Sequence, residues 1–126
     1  MKKIINTDKA PAPIGPYSQA ILSGNTLYSS GQIALDPTTG ELVLDSIEQE
    51  TKQVMENIKA VLEAVDMTFE NIVKTSIFIS NMENFGRINE VYATYFNAAT
   101  APARETVEVA NLPKYVNVEI SVIAIK

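Results

Sequence analysis

The segment from residue 45 to residue 65 constrains the fold most, because its apolar side chains recur at the spacing of a one-sided helix. Asp45, followed three positions later by Glu48, predicts a capping box at the start of this helix. Charged side chains, Glu50 among them, are predicted to occupy the solvent side. One apolar stripe of the helix is formed by Ile47, Val54, Ile58, Val61, Leu62 and Val65. This stripe needs an apolar surface of the protein to pack against.

Short β-prone runs on both sides of this helix predict the sheet that it covers. Asn81 is predicted to cap a second helix, whose apolar stripe contains Phe85, Ile88, Tyr92 and Phe96. The 126 residues favour one domain, residues 1–126. The sequence therefore predicts an α+β fold in which two helices pack on one face of a mixed sheet. The predicted strands are residues 3–6, 17–22, 26–32, 72–79, 104–109 and 117–125.

Alternation along the later strands assigns their side chains to two faces of the sheet. One set is apolar and is predicted to lie beneath the helices: Val73, Thr75, Ile77, Ile79, Val107, Val109, Val118, Ile120, Val122 and Ala124. The opposite set mixes charged and large apolar groups, and no helix remains to cover it. An uncovered apolar face predicts self-association. This open set includes Phe78, Ile123 and Ile125 together with Arg104, Thr106, Glu108 and Glu119.

The composition excludes several kinds of chemistry. The chain has no cysteine and no histidine, so it has no disulfide, thiolate nucleophile, imidazole base or Cys/His metal site. Its formal charge of -5 disfavours nucleic acid and anionic membrane surfaces. No apolar run is long enough for a signal peptide or a membrane span, which predicts a cytoplasmic protein.

Two charged residues are candidates for a functional site. Arg104 directly follows Pro102 and Ala103, and its planar guanidinium matches a carboxylate; the alternative is a surface arginine at a strand end. Glu119 interrupts an apolar strand, where a carboxylate can orient or deprotonate a water. The alternatives for Glu119 are an exposed acid or a salt bridge to Arg104 or Lys74.

Polar residues elsewhere are weaker candidates. Asn89 falls on the buried arc of the second helix, where it either caps a loop carbonyl or contacts a ligand. Tyr17 follows a stiff turn, and Ser30 and Gly31 close the hairpin, where glycine permits a ligand to approach the backbone. Both features are also consistent with a purely structural role, in which Gly31 marks a β-bulge.

Several separated motifs together resemble the RidA (YjgF-type) reactive-intermediate deaminases. They are IGPYSQA at residues 14–20, SSGQI at 29–33, PAR at 102–104 followed by TVEV at 106–109, LP at 112–113, VEI at 118–120 and IA at 123–124. The resemblance covers essentially the whole chain. Two positions depart from the family pattern: Ala101, where a bulky residue often precedes the proline, and Glu105, where a small hydroxyl residue is common.

The resemblance implies a chorismate-mutase-like homotrimer with active sites in the clefts between subunits. It implies hydrolysis of enamine and imine intermediates, such as 2-aminoacrylate and 2-aminocrotonate, which pyridoxal-phosphate-dependent dehydratases release. The products are 2-keto acids and ammonia, and no metal or organic cofactor is required. By the same resemblance, Arg104 clamps the substrate carboxylate and Glu119 positions the attacking water. The residues that correspond to the cleft lining are Tyr17, Ser30, Gly31, Asn89 and Thr106.

Two other functions remain open from the sequence. One is a non-catalytic trimeric sensor, in which the same arginine binds 2-keto acids or amino acids. The other is the RNA cleavage or inhibition of translation that is sometimes attached to this family. The acidic charge balance and the absence of histidine disfavour the second alternative.

Overall fold

The computed structural model describes residues 1–126 and contains one six-stranded sheet and two α-helices. The element order is the predicted one, which confirms the mixed α+β architecture. The strand order across the sheet is β1-β2-β3-β6-β4-β5, and only the β4–β5 pair is parallel. The elements are β1 (Lys2–Ile5), β2 (Ala20–Ser23), β3 (Thr26–Ser29), α1 (Ile47–Glu63), β4 (Ile72–Ile79), α2 (Phe85–Ala93), β5 (Ala103–Glu108) and β6 (Val118–Ile125).

Helix α1 begins one residue later than the capping box predicts. Ser46 is the N-cap, with extended backbone and a hydroxyl that accepts a hydrogen bond from the Gln49 N–H at 3.1 Å. Ser46 and Asp45 are both able to cap a helix, and capping by Ser46 makes Ile47 the first helical residue. All six residues of the predicted apolar stripe are buried. The prediction of one-sided burial is therefore confirmed, and the position of the cap is wrong.

Glu50 is a second correction in α1. The sequence places it on the solvent side, yet it is only 1% exposed. Its carboxylate accepts hydrogen bonds from the backbone N–H groups of Asn117 and Val118, which enter β6. Burial of a charged group is tolerated where donors replace the lost water.

Helix α2 is preceded by a single 3-10 turn, Met82–Asn84, and Asn81 caps this turn rather than the α-helix itself. The predicted apolar residues of this region pack against the core, including Phe96, which follows the helix. The Tyr92 hydroxyl bonds the Thr75 hydroxyl at 2.9 Å and ties α2 to β4.

The two helices are also joined at the surface. Arg87 of α2 donates two hydrogen bonds to Glu48 of α1, at 2.8 and 2.7 Å. Hydrogen bonding to this guanidinium lowers the pKa of Glu48 to about 2. Arg87 thus links α1 to α2.

The face of the sheet beneath the helices is largely as predicted in β4 and β6. Residues of β6 that share this face, Val118, Ile120, Val122 and Ala124, are all buried. Val73 is an exception, because the pairing of β4 with β6 shifts between Ile72 and Lys74. This bulge leaves the Val73 side chain 44% exposed, so its predicted place in the core is wrong.

The faces assigned to β5 are wrong. In the parallel pairing with β4, Arg104 lies opposite Thr75 and Thr106 opposite Ile77, so both lie on the helix side. Glu108, opposite Ile79, does the same, and Val107 is 44% exposed on the open side. Alternation along a strand is readable from sequence, but the register of a crossover strand is not. A slip of one residue exchanges the two faces.

The opposite face of the sheet is uncovered, as predicted. No helix packs over Phe78 or the side chains that share its face in the neighbouring strands. Four large apolar residues on this face are exposed, Ile4, Tyr28, Val107 and Ile125. We call this surface the open face. Neither helix has the length and apolar character needed to cross a membrane.

Candidate functional site

A cavity of about 500 Å³ surrounds the Glu119 carboxylate. Four of the residues predicted for the site line it: Tyr17, Ser30, Gly31 and Glu119. The Tyr17 hydroxyl accepts a hydrogen bond from the Ile14 N–H at 3.3 Å, which leaves the phenol proton free for a ligand. We call this space the Glu119 cavity. Its other walls are Pro11, Ala12, Ile14, Gln19, Gln32, Ile33, Leu35, Pro113 and Lys114.

A β-bulge presents Ser30 and Gly31 to this cavity. Tyr28 pairs with Ile123 and Gln32 pairs with Ile120, so residues 29–31 lie opposite only residues 121–122. Such an extra residue bends a strand and redirects its side chains. The Ser30 hydroxyl donates to the Ser18 carbonyl at 2.5 Å, so its lone pairs remain available. Gly31 is therefore both a bulge residue and a lining residue of the cavity.

Glu119 makes no salt bridge within the chain. The predicted alternatives of a pair with Arg104 or Lys74 are wrong, because Lys74 pairs with Glu105 at 3.2 Å and Arg104 lies on the other face. The Glu119 side chain is partly buried, and this desolvation raises the pKa of its carboxyl above the usual value. A raised pKa suits a group that takes up a proton during a reaction.

The close approach of Glu119 to the backbone requires glycine at position 31. A Cβ at Gly31 would lie 2.7 Å from the Glu119 carboxyl carbon and 2.8 Å from Oε2. Gly31→Ala is therefore expected to push the carboxylate toward solvent and to bring the pKa of Glu119 down toward its usual value. An NMR titration of ¹³C-labelled glutamate side chains measures this change.

Gly86→Ala is the matched control, because a Cβ at this helical glycine meets nothing within 4 Å. The pKa of Glu119 should be the same in this variant as in the parent chain. An unchanged pKa in Gly31→Ala would show that the two residues do not compete for space.

The second candidate cluster surrounds Arg104, on the helix side of the sheet. One guanidinium nitrogen, Nη1, donates to the Asn89 side-chain oxygen at 2.6 Å. The guanidinium carbon lies 5.1 Å from the centre of the Tyr92 ring and 5.4 Å from that of Phe85. These contacts hold the charge in place, and the remaining N–H donors make no hydrogen bond within the chain. They are available to a carboxylate.

This arginine borders a separate cavity of about 350 Å³, which we call the Arg104 cavity. Asn89 lines it and binds the arginine, so it does not cap a loop carbonyl. Ala101, one of the two departures from the family pattern, lines the same cavity. Glu105, the other departure, lies on the open side with Lys74. Thr106 lines neither cavity, although its hydroxyl is buried and has no hydrogen-bond partner.

The predicted site residues are therefore divided between two sides of one sheet. Arg104 shares the face of Thr75, beneath the helices, whereas Glu119 pairs with Phe78 on the open face. Side chains on opposite faces of a sheet point away from each other. One chain therefore does not bring Arg104 and Glu119 to the same small ligand, and the prediction that they share a face is wrong.

Two buried amides that the sequence did not single out fix the walls of the Glu119 cavity. The Gln19 side chain accepts from the Thr7 N–H at 2.7 Å and donates to the carbonyls of Thr7, Ala10 and Pro11. Asn57 of α1 donates to the carbonyls of Ile33 and Leu35 at 3.0 and 2.9 Å. Asn57 falls within the apolar stripe of its helix, and that position was a readable signal of a buried amide.

Comparison with known proteins places this arrangement in a family. The family described as endoribonuclease L-PSP matches residues 7–126. A RutC family protein of Pyrococcus horikoshii is 51% identical over 126 residues, covering 100% of this chain and 99% of that protein. The Mus musculus protein named 2-iminobutanoate/2-iminopropanoate deaminase is 45% identical, over 100% of this chain and 93% of that protein.

Solved structures agree along the full length. A putative endoribonuclease of Thermotoga maritima matches with a TM-score of 0.97 at 51% identity, over 100% of this chain and 98% of that one. The TdcF protein of E. coli, solved with bound serine, matches with a TM-score of 0.92 at 40% identity, over 98% of each chain. Sequence and fold lead to the same assignment, which confirms the resemblance seen in the motifs: the chain belongs to the endoribonuclease L-PSP family, also known as the YjgF/RidA family.

Proposed function

We propose that this protein hydrolyses the imines of short 2-keto acids, such as the imine forms of 2-aminoacrylate and 2-aminocrotonate, to the 2-keto acid and ammonia. The observation that carries this proposal is the pair of charged groups with complementary roles. One is an arginine with unused donors, and the other is a carboxylate with a raised pKa in an open cavity. Relatives at 42–45% identity bear the name of this deaminase activity.

In this mechanism Arg104 binds the substrate carboxylate through its free N–H donors. The two aromatic rings and Asn89 fix the plane of the guanidinium before the substrate arrives. Prior orientation of this kind lowers the entropy lost on binding and places the imine carbon for attack. The arginine therefore supplies recognition and alignment, and it transfers no proton.

Glu119 acts on the water. Its ionised carboxylate accepts a hydrogen bond from a water molecule and takes up a proton as the oxygen attacks the imine carbon. Attack on the protonated imine gives a neutral carbinolamine. Glu119 returns the proton to its nitrogen and ammonia leaves, while the hydroxyl proton passes to the freed carboxylate and the oxygen becomes the keto group. The Gly31 backbone allows close approach at this point, and Tyr17 and Ser30 offer hydroxyl groups to the same space.

We further propose that the complete site forms between subunits of a homotrimer. The Arg104 cavity of one chain would meet the Glu119 cavity of its neighbour, which resolves the separation of the two groups within one chain. The exposed apolar residues of the open face support association, because their burial between subunits removes apolar surface from water.

The assembly is checked by light scattering on the eluting protein. A mass of about three times 13.8 kDa is expected at micromolar concentration. Tyr28→Glu, on the open face, is expected to lower that mass, because it introduces a charge among the apolar side chains. A stable monomer of the parent chain would contradict the proposed cleft between subunits.

Mixing two inactive variants tests whether each site draws on two chains. Arg104→Ala and Glu119→Gln subunits, unfolded together in equal amounts and reassembled, should recover about a quarter of the parental activity, since one site in four receives both intact groups. Each variant reassembled alone is the control. Absence of recovery in verified mixed trimers would contradict a site built from two chains.

The proposed reaction is tested by coupling the protein to a threonine dehydratase acting on threonine. The expected result is faster release of 2-ketobutyrate and ammonia, with less imine captured by semicarbazide. If the protein binds 2-ketobutyrate but leaves the rate of imine breakdown unchanged, it is a sensor rather than an enzyme. The sensor function has one specific observation in its favour, since the related TdcF protein was solved with bound serine.

We propose no nucleic-acid partner, no metal and no organic cofactor for this activity. The family description refers to an endoribonuclease, but the charge of -5 opposes binding to a phosphate backbone. Incubation of the purified protein with labelled RNA is expected to leave the RNA intact.

A further inference from the structure

Glu50 is a buried carboxylate that the proposed mechanism does not use. It lies in the first half of α1 and is 1% exposed, and neither of the two salt bridges in the structure involves it. Its Oε2 accepts from the N–H groups of Asn117 at 2.7 Å and Val118 at 3.0 Å. Its Oε1 accepts from the Asn117 side-chain amide at 2.8 Å. All of these donors belong to two consecutive residues.

Those two residues form the entrance to β6. Asn117 is also fixed from the other side, since its carbonyl accepts from the Ser80 N–H and its side-chain oxygen from the Ser80 hydroxyl, both at 3.0 Å. Glu50 and the end of β4 thus hold Asn117 between them. Glu119 is the second residue after Asn117 and lies within β6, opposite Phe78.

We propose that Glu50 is a positioning residue, which holds the start of β6 through Asn117 and Val118 so that the Glu119 carboxylate stays against Gly31. The proposal rests on the proposed function for its catalytic consequence, but its structural part is independent of any activity. The physical requirement is the length of the side chain, which we call its reach. An acceptor must extend from α1 to two backbone N–H groups that would otherwise be buried without partners.

Reach and charge are separable by substitution. Glu50→Gln keeps the length, and its carbonyl oxygen still accepts from the two backbone N–H groups. Its amide then faces Asn117, whose side chain satisfies it by rotating, with Ser80 as the new acceptor. Glu50→Asp keeps the charge but withdraws the carboxylate by about 1.5 Å, one carbon–carbon bond. If the length of the side chain is what matters, Glu50→Asp is impaired and Glu50→Gln is not. If the charge is what matters, the result is the reverse.

Thr51→Val is the matched control for loss of stability. Thr51 neighbours Glu50 on α1 and is fully buried, and its hydroxyl donates only within the helix, to the Ile47 carbonyl. The variant keeps the side-chain shape and removes none of the hydrogen bonds of Glu50 to Asn117 and Val118. All variants retain Tyr17 and Lys114, the other titratable side chains that line the Glu119 cavity.

The test measures two quantities in the assembled full-length protein: the pKa of Glu119 from ¹³C carboxyl NMR, and kcat with KM in the dehydratase-coupled assay. In Glu50→Asp we expect the pKa of Glu119 to fall toward its usual value and kcat to drop on the order of tenfold to a hundredfold, as for a misplaced catalytic group. KM should change little, because Arg104 is unaffected. Glu50→Gln should resemble the parent in both measurements, and Thr51→Val should change only the thermal midpoint.

The opposite pattern would be a Glu50→Asp variant with the kcat and Glu119 pKa of the parent and a Glu50→Gln variant with reduced kcat. That pattern would overturn the proposal in favour of a role for the charge of Glu50. Loss of thermal stability in both variants, with no change in kcat or in the pKa of Glu119, would overturn it in favour of a purely structural role. If the parent protein hydrolyses no imine, the proposed function fails, and the NMR titration still decides whether Glu50 positions Glu119.

Discussion

Replacing Arg104 by alanine is expected to lower kcat/KM for imine hydrolysis by about a hundredfold or more. Two charge-assisted hydrogen bonds to a carboxylate contribute roughly 1.5 to 3 kcal/mol each, and each 1.4 kcal/mol corresponds to a factor of ten. The guanidinium is exposed and bonded only to Asn89 within the chain, so its removal should leave folding and assembly intact. Steady-state kinetics in the dehydratase-coupled assay measure the loss of kcat/KM. Calorimetric titration of 2-ketobutyrate measures the loss of carboxylate binding.

Lysine at position 104 separates charge from geometry. Arg104→Lys keeps a cation near the two rings but loses the planar fork that bonds a carboxylate at two points, so most of the activity should be lost. Arg87→Ala is the matched control, because Arg87 is the other arginine and bonds Glu48 on the surface. Parental hydrolysis by Arg104→Ala would refute the carboxylate clamp in this protein.

Glu119→Gln is expected to reduce kcat by roughly 10² to 10⁴, the range for loss of a general base. The amide has the same shape but does not take up the proton from water. Binding of 2-ketobutyrate should be nearly unchanged, because the carboxylate of the ligand is held by Arg104. Glu105→Gln is the control, since Glu105 is a carboxylate on the same side of the sheet that pairs with Lys74 outside both cavities.

The pH dependence gives a second measurement on the same residue. Glu119 must be ionised to accept a proton, so activity should fall as pH drops through its pKa. Burial raises that pKa, which places the acidic limb of the kcat/KM profile, the profile that reports the free enzyme, at a higher pH than for an ordinary glutamate. Glu119→Gln should lose this limb. Full activity in Glu119→Gln would reduce Glu119 to a lining residue of its cavity.

The fold was predictable from the sequence to the level of elements, because periodicity reports burial directly. The stripe of α1 and the alternation in β6 identified the core, and the lack of a third helix identified the open face. Register was not predictable. Residues of β5 alternate correctly among themselves, but the α2 connection sets which of them meets Thr75, and this placed Arg104 beneath α2.

The site was predictable as a set of residues but not as a geometry. Family motifs selected Tyr17, Ser30, Gly31 and Glu119, which do share a cavity. Glu50 was misplaced because a charged side chain in a helix is assigned to solvent unless its buried partners are known. Those partners, Asn117 and Val118, are more than sixty positions away in the chain, and local patterns carry no information about them.

The placement of Arg104 and Glu119 on opposite faces has a consequence for gene dosage. In a newly synthesised chain Arg104 and Glu119 face away from each other, and under our proposal neither takes part in chemistry until chains meet. When the concentration of the chain lies near the value at which it assembles, the rate of imine hydrolysis rises more steeply than in proportion to the number of chains. A cell that makes half as many chains then loses more than half of its capacity to clear imines.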